Sequence, residues 1–287
     1  METNIMIIVD FHQVMIANLM TQLGNHTNVP VEEGLFRHMV LNSLRSFRQK
    51  FKEYGEMVIA CDDKNFWRKQ AFPYYKANRK KARDKSEIDW NTIFEYFGKI
   101  KSEIRENFPY RVIQVDTAEA DDIIATLVIR SSVNEKIMIL SGDKDFIQLH
   151  KYPNVKQYDP VRKKFITHND PFKFLFEHIM KGDAGDGVPN VLSDDDTFIT
   201  DKRQKPMTQK RMDEAYNGGA GLMMVDQSIH RNFERNRQLI DLNYIPQNIR
   251  DEVLNKYEHE AGKDRSRMFN YFISYKLKGM MDSIGDF

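Results

Sequence analysis

The sequence predicts an α/β fold, a largely parallel central sheet flanked by helices, followed by a mostly helical C-terminal region. Three observations predict it. Four short apolar runs rich in β-branched residues alternate with long helical patterns over the front of the 287-residue chain. That order favours parallel strands covered by helices. Beyond about residue 168 the strand patterns give out and helical ones take over.

The elements follow in order. NIMIIVD (4–10) reads as a buried strand and 31–54 as a helix. EMVIACD (56–62) is the second strand. After a basic stretch, 86–107 is the next helix, RVIQV (111–115) the third strand, and TAEADDIIATLV opens a helix. KIMILSG (136–142) is the fourth strand. Behind it come helical patterns in FKFLFEHIMKG, in 208–240 and in RMFNYFISYKLKGMMDSI, interrupted by a polar loop near 183–206.

Composition bounds the function. With 41% hydrophobic and 30% charged residues, the chain has the content of a globular protein with a sizeable core. No stretch approaches the roughly 20 apolar residues of a membrane span, and METNIMIIVD lacks the features of a signal peptide, so a cytoplasmic, non-membrane protein is expected. One cysteine, Cys61, cannot form an internal disulfide, and eight scattered histidines argue against structural zinc. The net charge of +1 conceals a segregation. Residues 64–85 carry nine cations against Asp84, a local +8 balanced by −7 elsewhere.

Three strands end in aspartate: Asp10, Asp62 and Asp143, the last followed by Asp145. In open α/β sheets the ligand site lies beyond the carboxyl ends of the strands, so these side chains should converge. Glu119, Asp121 and Asp122 open a helix at the same edge. Glu119 and Asp122 share a face, whereas Asp121 converges only if the first turn is irregular. KGDAGDG adds Asp183 and Asp186 in a glycine-rich turn. So many carboxylates repel one another and require cations. Oxygen donors without His or Cys select Mg²⁺, with Mn²⁺ able to substitute, and two such ions are the usual device for phosphodiester hydrolysis. Taken singly, each motif has a plainer reading: aspartates suit turns, and Asp116 with Glu119 makes an N-cap pair. Coincidence at one edge favours the metal site. The basic stretch interleaves its cations with Phe66, Trp67, Phe72, Tyr74 and Tyr75, the composition of a single-strand nucleic-acid surface, although charge runs are usually solvated faces.

VDF (9–11), YYKANRKKAR (74–83), EADDIIA (119–125), SGDKDFIQL (141–149) and KGDAGDGVP (181–189), in this order and spacing, resemble the motifs of the structure-specific 5′ nucleases, the flap endonuclease family. Within it the likeness is to the RNase H group of T-even-type bacteriophages, helped by HKYPNVKQY and NYFISYKLKGMMDSIGDF, and it spans nearly the whole chain. The resemblance implies a PIN-like nuclease domain over 1–182, with a helical arch at 64–85, and a helical duplex-binding region over 183–287. It implies a Mg²⁺-dependent 5′ to 3′ exonuclease and flap endonuclease with RNase H activity, removing RNA primers and adjacent DNA in lagging-strand replication. Expected partners are DNA and RNA/DNA duplexes with 5′ ends, flaps or forks, and a single-stranded-DNA-binding protein or sliding clamp. The protein is expected to be a monomer, in the host cytoplasm if phage-encoded.

By motif match, Asp10, Asp62, Glu119 and Asp121, with Asp122 close by, resemble the first metal group; Asp143, Asp145, Asp183 and Asp186 resemble the second. Asp143 is expected to be indispensable. Lys76 and Arg79 match arch cations that contact the scissile phosphate, Tyr75 the adjacent aromatic, and Lys80, Lys81 and Arg83 more distant phosphate contacts. One departure stands out: the glycine-rich helix-hairpin-helix of the family reads GDGVPNVLSDDDTFITDK here, keeping only GV before three acidic residues, so the resemblance leaves open whether this segment makes the family's potassium-assisted backbone contact. Duplex binding then falls to Lys202, Arg203, Lys205, Lys210 and Arg211, with a flexible solvated loop as the other reading. Two alternatives differ in class. A haloacid-dehalogenase-type phosphatase places Asp-x-Asp near the first strand, followed by x-Thr or x-Val, and SGDKDFIQ fits neither. A non-catalytic junction binder would keep the arch but not every carboxylate.

Overall fold

The computed structural model describes residues 6–24, 29–131, 135–200, 202–218 and 226–287. The side chains of Lys80, Lys81 and Ala82 lie outside the described residues, so the expected phosphate contacts of Lys80 and Lys81 do too.

A single six-stranded sheet forms the centre. Strands β1 (Met6–Asp10), β2 (Glu56–Ala60), β3 (Arg111–Ile113), β4 (Ile137–Leu140), β5 (Val155–Asp159) and β6 (Lys164–Ile166) lie in the order β3-β2-β1-β4-β5-β6. All neighbours are parallel except β6, which runs antiparallel to β5. Buried on both faces, β1 reads as a continuous apolar run, as parallel strands do. Its residues divide by alternation: Ile7 and Val9 join one core, Met6 and Ile8 the other.

Helices α1 (Phe11–Leu23), α2 (Glu33–Lys50) and α5 (Trp90–Asn107) cover the first face. Asp10, the last residue of β1, caps α1 by accepting from the Gln13 N–H at 3.2 Å, so strand and helix join without a linker. On the opposite face lies α6 (Ala120–Arg130), with α10 (Gln247–His259) against it. Between β2 and α5 come two short arch helices, α3 (Arg68–Ala71) and α4 (Ala77–Asp84). Helices α7 (Pro171–Lys181), α8 (Gln209–Asn217) and α9 (Gln227–Ile240) build two smaller apolar clusters. After α9 the chain returns to the sheet. Leu242, Ile249 and Val253 enter one main core, while Met268, Tyr271 and Phe272 of α11 (Met268–Ser274), Met280 of α12 (Lys278–Met281), and Phe287 enter the other. Residues 242–287 therefore share the cores of the expected nuclease domain. Among the described residues, no helix is long and apolar enough to cross a membrane.

Strands β5 and β6 are additions to the four expected. Their pattern is masked because Gln157 and Asp159 are buried at β5. Gln157 Nε2 donates to the carbonyls of Ser141 (2.9 Å) and Asp143 (2.6 Å), and Asp159 accepts from the N–H groups of Val161 and Arg162. Residues 188–195 of the expected polar loop are anchored, whereas Lys202, Arg203 and Lys205 farther along are exposed. Val188, Asn190, Val191 and Ser193 are buried, Asn232 holds the Val191 and Ser193 carbonyls, and Asp195 pairs with Arg231 and Arg235.

A buried ion pair ties α2, α5 and α11 together. Arg37 Nε and Nη2 donate to Glu103 at 2.7 and 2.9 Å, and the Tyr271 hydroxyl donates to the same carboxylate at 2.8 Å. Breaking such a pair strands a buried charge. Glu103→Ala is expected to cost about 3–5 kcal/mol in urea unfolding; a loss below about 1 kcal/mol, the scale of an exposed pair, would contradict this account.

Candidate active site

Strand order changes direction between β1 and β4, and the carboxyl ends beside that point carry the acidic residues. Asp10 is buried and accepts from Ser141 Oγ at 2.9 Å. Asp62, two residues past β2, is fixed by the Ala120 N–H at 2.7 Å, which joins β2 to the start of α6. Asp143 caps a 3-10 helix over Lys144–Lys151, accepting from the Asp145 N–H at 3.0 Å.

The start of α6 shows how the acidic triplet divides. Glu119 is the N-cap, with extended backbone (φ −96°, ψ 161°), and its N–H donates to Asp122 Oδ2 at 2.9 Å. This pair takes the role that the plainer reading gave to Asp116 and Glu119. Glu119 thus stands outside the helical turn, which frees Asp121 to face Asp10, Asp143 and Glu119. Asp122 turns the other way. It is wholly buried, pairs with Arg68 Nη2 at 2.8 Å and accepts from Trp67 Nε1 at 3.0 Å. The expected place of Asp122 among the metal ligands is corrected accordingly: its oxygens hold a guanidinium and an indole.

Arg68 itself escaped the sequence reading, where it was one of the nine cations of the basic stretch. It is buried, donating from Nη1 to Glu119 at 2.8 Å and from Nε to the Leu239 carbonyl at 2.8 Å. The arch base, α6 and the end of α9 therefore meet at one side chain.

The glycine-rich turn docks the arch. Asn78 Nδ2 donates to the Ala184 carbonyl (2.8 Å), Arg79 Nε to that of Gly185 (3.3 Å) and the Lys76 N–H to that of Asp186 (2.7 Å). Gly182 (φ +66°) has no room for a side chain, since a Cβ would lie 2.4 Å from the Val188 carbonyl. Lys76 adopts left-handed backbone (φ 56°), a conformation that costs a non-glycine residue about 1 kcal/mol or more. Its ammonium pairs with Glu119 and lies 3.6 Å from Asp186, which also pairs with Arg79. Tyr75 is 3% exposed; its hydroxyl lies 3.0 Å from Glu119 and 2.8 Å from Asp186. The expected base-stacking surface is corrected here. Trp67, Phe72 and Tyr75 are buried, and Tyr74 is the exposed ring. Beneath the arch runs a groove of about 790 Å³ lined by His12, Asp62, Lys69, Arg79, Arg83 and Phe94.

His178, also missed in sequence, lies in the last turn of α7 between Asp145 and Asp183, 3.3 and 3.4 Å from them. The only signal was its position five residues before Asp183 on a helix entering the turn. Of the basic residues expected on the duplex, Arg203, Lys205 and Arg211 are exposed, Lys202 pairs with Asp196 at 3.2 Å, and Lys210 lies 3.9 Å from Glu214.

Electrostatics record the crowding. Burial, then Asp62, pushes Asp10 up to about 7. Burial, then Asp143, pushes Asp145 up to about 8. Asp121 and Asp143 are raised as well, each chiefly by burial, with Asp143 opposing Asp121 and Asp186 opposing Asp143. Burial also works against the charge on Asp183, but its bonds from His178 and the Asp186 N–H outweigh it and hold Asp183 below the usual range. Carboxylates held this close favour a divalent cation: hard oxygen donors on two sides of one edge fit Mg²⁺ or Mn²⁺.

Comparison with known proteins places this geometry. Residues 2–176 match the family described as 5′-3′ exonuclease, N-terminal resolvase-like domain, and residues 173–287 match the T4 RNase H C-terminal family. The chain is 32% identical to the ribonuclease H of Enterobacteria phage T4, over 98% of its own length and 95% of that protein. It is also 32% identical to a flap endonuclease of Shewanella halifaxensis over 152 residues, half of this chain and 56% of that one. Its fold is similar to that of a bacteriophage T5 protein co-crystallised with metal ions, with a TM-score of 0.63 at 17% identity, covering 90% of this chain and 99% of that one.

Because the folded state holds the Asp145 proton more tightly than the unfolded chain, the stability this confers is complete below about 4, falls as pH rises, and is lost once pH passes 8. Asp145→Asn should therefore match the parent in acid and exceed it by on the order of a few kcal/mol above pH 8, in urea unfolding with chelator present. A difference that does not grow with pH would contradict the assignment.

Proposed function

The chain belongs to the 5′-3′ exonuclease family and is a nuclease, and from that premise we propose that it hydrolyses phosphodiester bonds at 5′ ends, flaps and forks with two divalent cations, Mg²⁺ ordinarily. Its place is lagging-strand replication, where it removes RNA primers and adjacent DNA. One observation carries the reading: the cations of the arch, Lys76 and Arg79, sit on the very carboxylates, Glu119 and Asp186, that crowd the sheet edge. A site that joins concentrated anions to mobile-length cationic side chains suits a phosphate bridging the two.

Asp10, Asp62, Glu119 and Asp121 would hold one cation; Asp143, Asp145, Asp183 and Asp186 the other. When bound, such ions supply a nucleophile from water near neutral pH and neutralise the departing oxygen. The protein does the rest. Tyr75 and Arg68 fix Glu119 from two sides, so that carboxylate is oriented before substrate arrives. Lys76, fixed by its backbone bond to Asp186, is poised to turn from Glu119 to a phosphate oxygen that gains charge during attack. Arg79, more exposed, offers a second contact of the same kind. Arg83 lines the groove farther along and is assigned to phosphates away from the cut. Exposed Arg203, Lys205 and Arg211 are assigned to the duplex backbone.

The reading is tested with a 5′-labelled flap duplex and Mg²⁺, sizing the products: short 5′-phosphorylated fragments are expected, abolished by chelator and by Asp143→Asn. Robust cleavage in excess chelator would overturn it.

Within the arch the roles separate kinetically. Lys76→Ala should lower the single-turnover rate by about 10² to 10³, equivalent to about 3 kcal/mol of transition-state stabilisation. Arg83→Ala should weaken binding and flatten its salt dependence by about one counterion, with kcat nearly unchanged. Equal rate losses in the two variants would remove the catalytic assignment of Lys76.

A further inference from the structure

Among the acidic groups at the second cation position stands one nitrogen donor. One oxygen each of Asp145 and Asp183 and one ring nitrogen of His178 all lie within 4.8 Å of one another. The histidine is placed with little freedom. Its ring meets Phe174, one helical turn back, at 5.9 Å between centroids, and its side chain is 15% exposed. Asp183 is equally fixed, accepting from the Asp186 N–H at 3.0 Å while its backbone pairs with Val188 across the turn. Asp145 follows the strand end through the N–H it gives to Asp143.

The ring cannot satisfy both carboxylates when neutral. A neutral imidazole carries one N–H. If Nε2 gives it to Asp183, the Nδ1 lone pair faces an Asp145 oxygen at 3.3 Å, acceptor against acceptor once that carboxyl group has given up its proton. Exchanging tautomers moves the conflict to Asp183. Nδ1 is in fact shut off from solvent and lacks a hydrogen-bond partner. Two lone-pair donors turned toward each other in a fixed, largely buried setting are the arrangement that a shared cation resolves. A cavity of about 490 Å³, lined by Asp143, Lys144, Phe174, Lys181 and Gly182 together with the three donors, reaches them and gives a hydrated ion a route in.

Resting on the reading of this edge as a cation site, we propose that His178 is a nitrogen ligand of the second cation, beside Asp145 and Asp183, and that it biases this position toward Mn²⁺ over Mg²⁺. Mg²⁺ keeps to hard oxygens and sheds water reluctantly, whereas imidazole suits first-row transition ions. A carboxylate-only position discriminates between the two ions less, so the bias belongs to the ring. A histidine that only bridged the two aspartates by hydrogen bonds would give no direct bond to the ion.

The test is pulsed electron paramagnetic resonance of the full chain loaded with Mn²⁺, beside binding titrations of Mn²⁺ and Mg²⁺. The proposal expects nitrogen modulation from one imidazole, altered when histidine is labelled with ¹⁵N and absent in His178→Gln, which still binds Mn²⁺ through its carboxylates. It also expects His178→Gln to weaken Mn²⁺ at this position by about 10-fold or more, since losing even an outer partner costs that much, while Mg²⁺ affinity changes little. Parent protein that binds Mn²⁺ without nitrogen modulation overturns the proposal and leaves the cation-site reading intact, as does modulation that survives in His178→Gln. Mn²⁺ binding that is absent, or unaffected by Asp183→Asn, overturns the cation-site reading itself and the proposal with it.

Discussion

Repulsion among the carboxylates at one sheet edge sets what the arch, α6 and the glycine-rich turn must supply around it. Asp10, Asp62, Glu119, Asp121, Asp143, Asp145, Asp183 and Asp186 arrive there from strand ends, a helix cap and a glycine turn, and burial, with that repulsion added to it, pushes Asp10 and Asp145 up to about 7 and about 8. Cationic side chains of the arch oppose that repulsion: Arg68, Lys76 and Arg79. Arg68 is the most deeply placed. Removing one member of a buried pair leaves the other stranded, so Glu119, Asp122 and Arg68 hold together as a unit. Through its bond to the Leu239 carbonyl the unit also fixes where α9 ends and the chain turns back to the sheet.

The arch is thus built in two parts with different tasks. Its base, from Trp67 to Tyr75, is a piece of the interior: an indole and a phenol donate to buried or half-buried carboxylates, and Phe72 fills a small core beside Ile179 and Leu239. Its tip begins at Lys76, where left-handed backbone redirects the chain and the Asp186 carbonyl secures the turn. Strain at that residue is compensated by three hydrogen bonds to the GDAGDG turn, from Lys76, Asn78 and Arg79. A substrate phosphate that draws Lys76 off Glu119 need not disturb that docking, because the backbone carries it.

The sheet was legible where burial is apolar. Runs such as MIIVD and IMIL carry their strand pattern openly, and the aspartates after them marked the edge. What stayed hidden is what polar side chains bury. VKQYD forms a strand because Gln157 and Asp159 satisfy loop backbone, which hydrophobic periodicity does not register. Arg68 looked like one more cation in a +8 stretch, and its depth depends on Glu119 and Asp122 some fifty residues away. Asp122 looked like a ligand because sequence gives its position on the helix but not that Glu119 is the cap. His178 was overlooked because a lone histidine on a helix has no pattern until the turn folds back on it.

These carboxylates are assembled at a cost that cations relieve. Calorimetric titration of the chelator-stripped protein with Mg²⁺ near pH 7, repeated in buffers of different ionisation enthalpy, reads that relief as binding and proton release. Because Asp10 and Asp145 retain protons in that range, binding should saturate at two ions and release protons as they enter. The same titration on Asp145→Asn should release fewer. Mg²⁺ that fails to bind, or that binds without displacing any proton, would contradict the account.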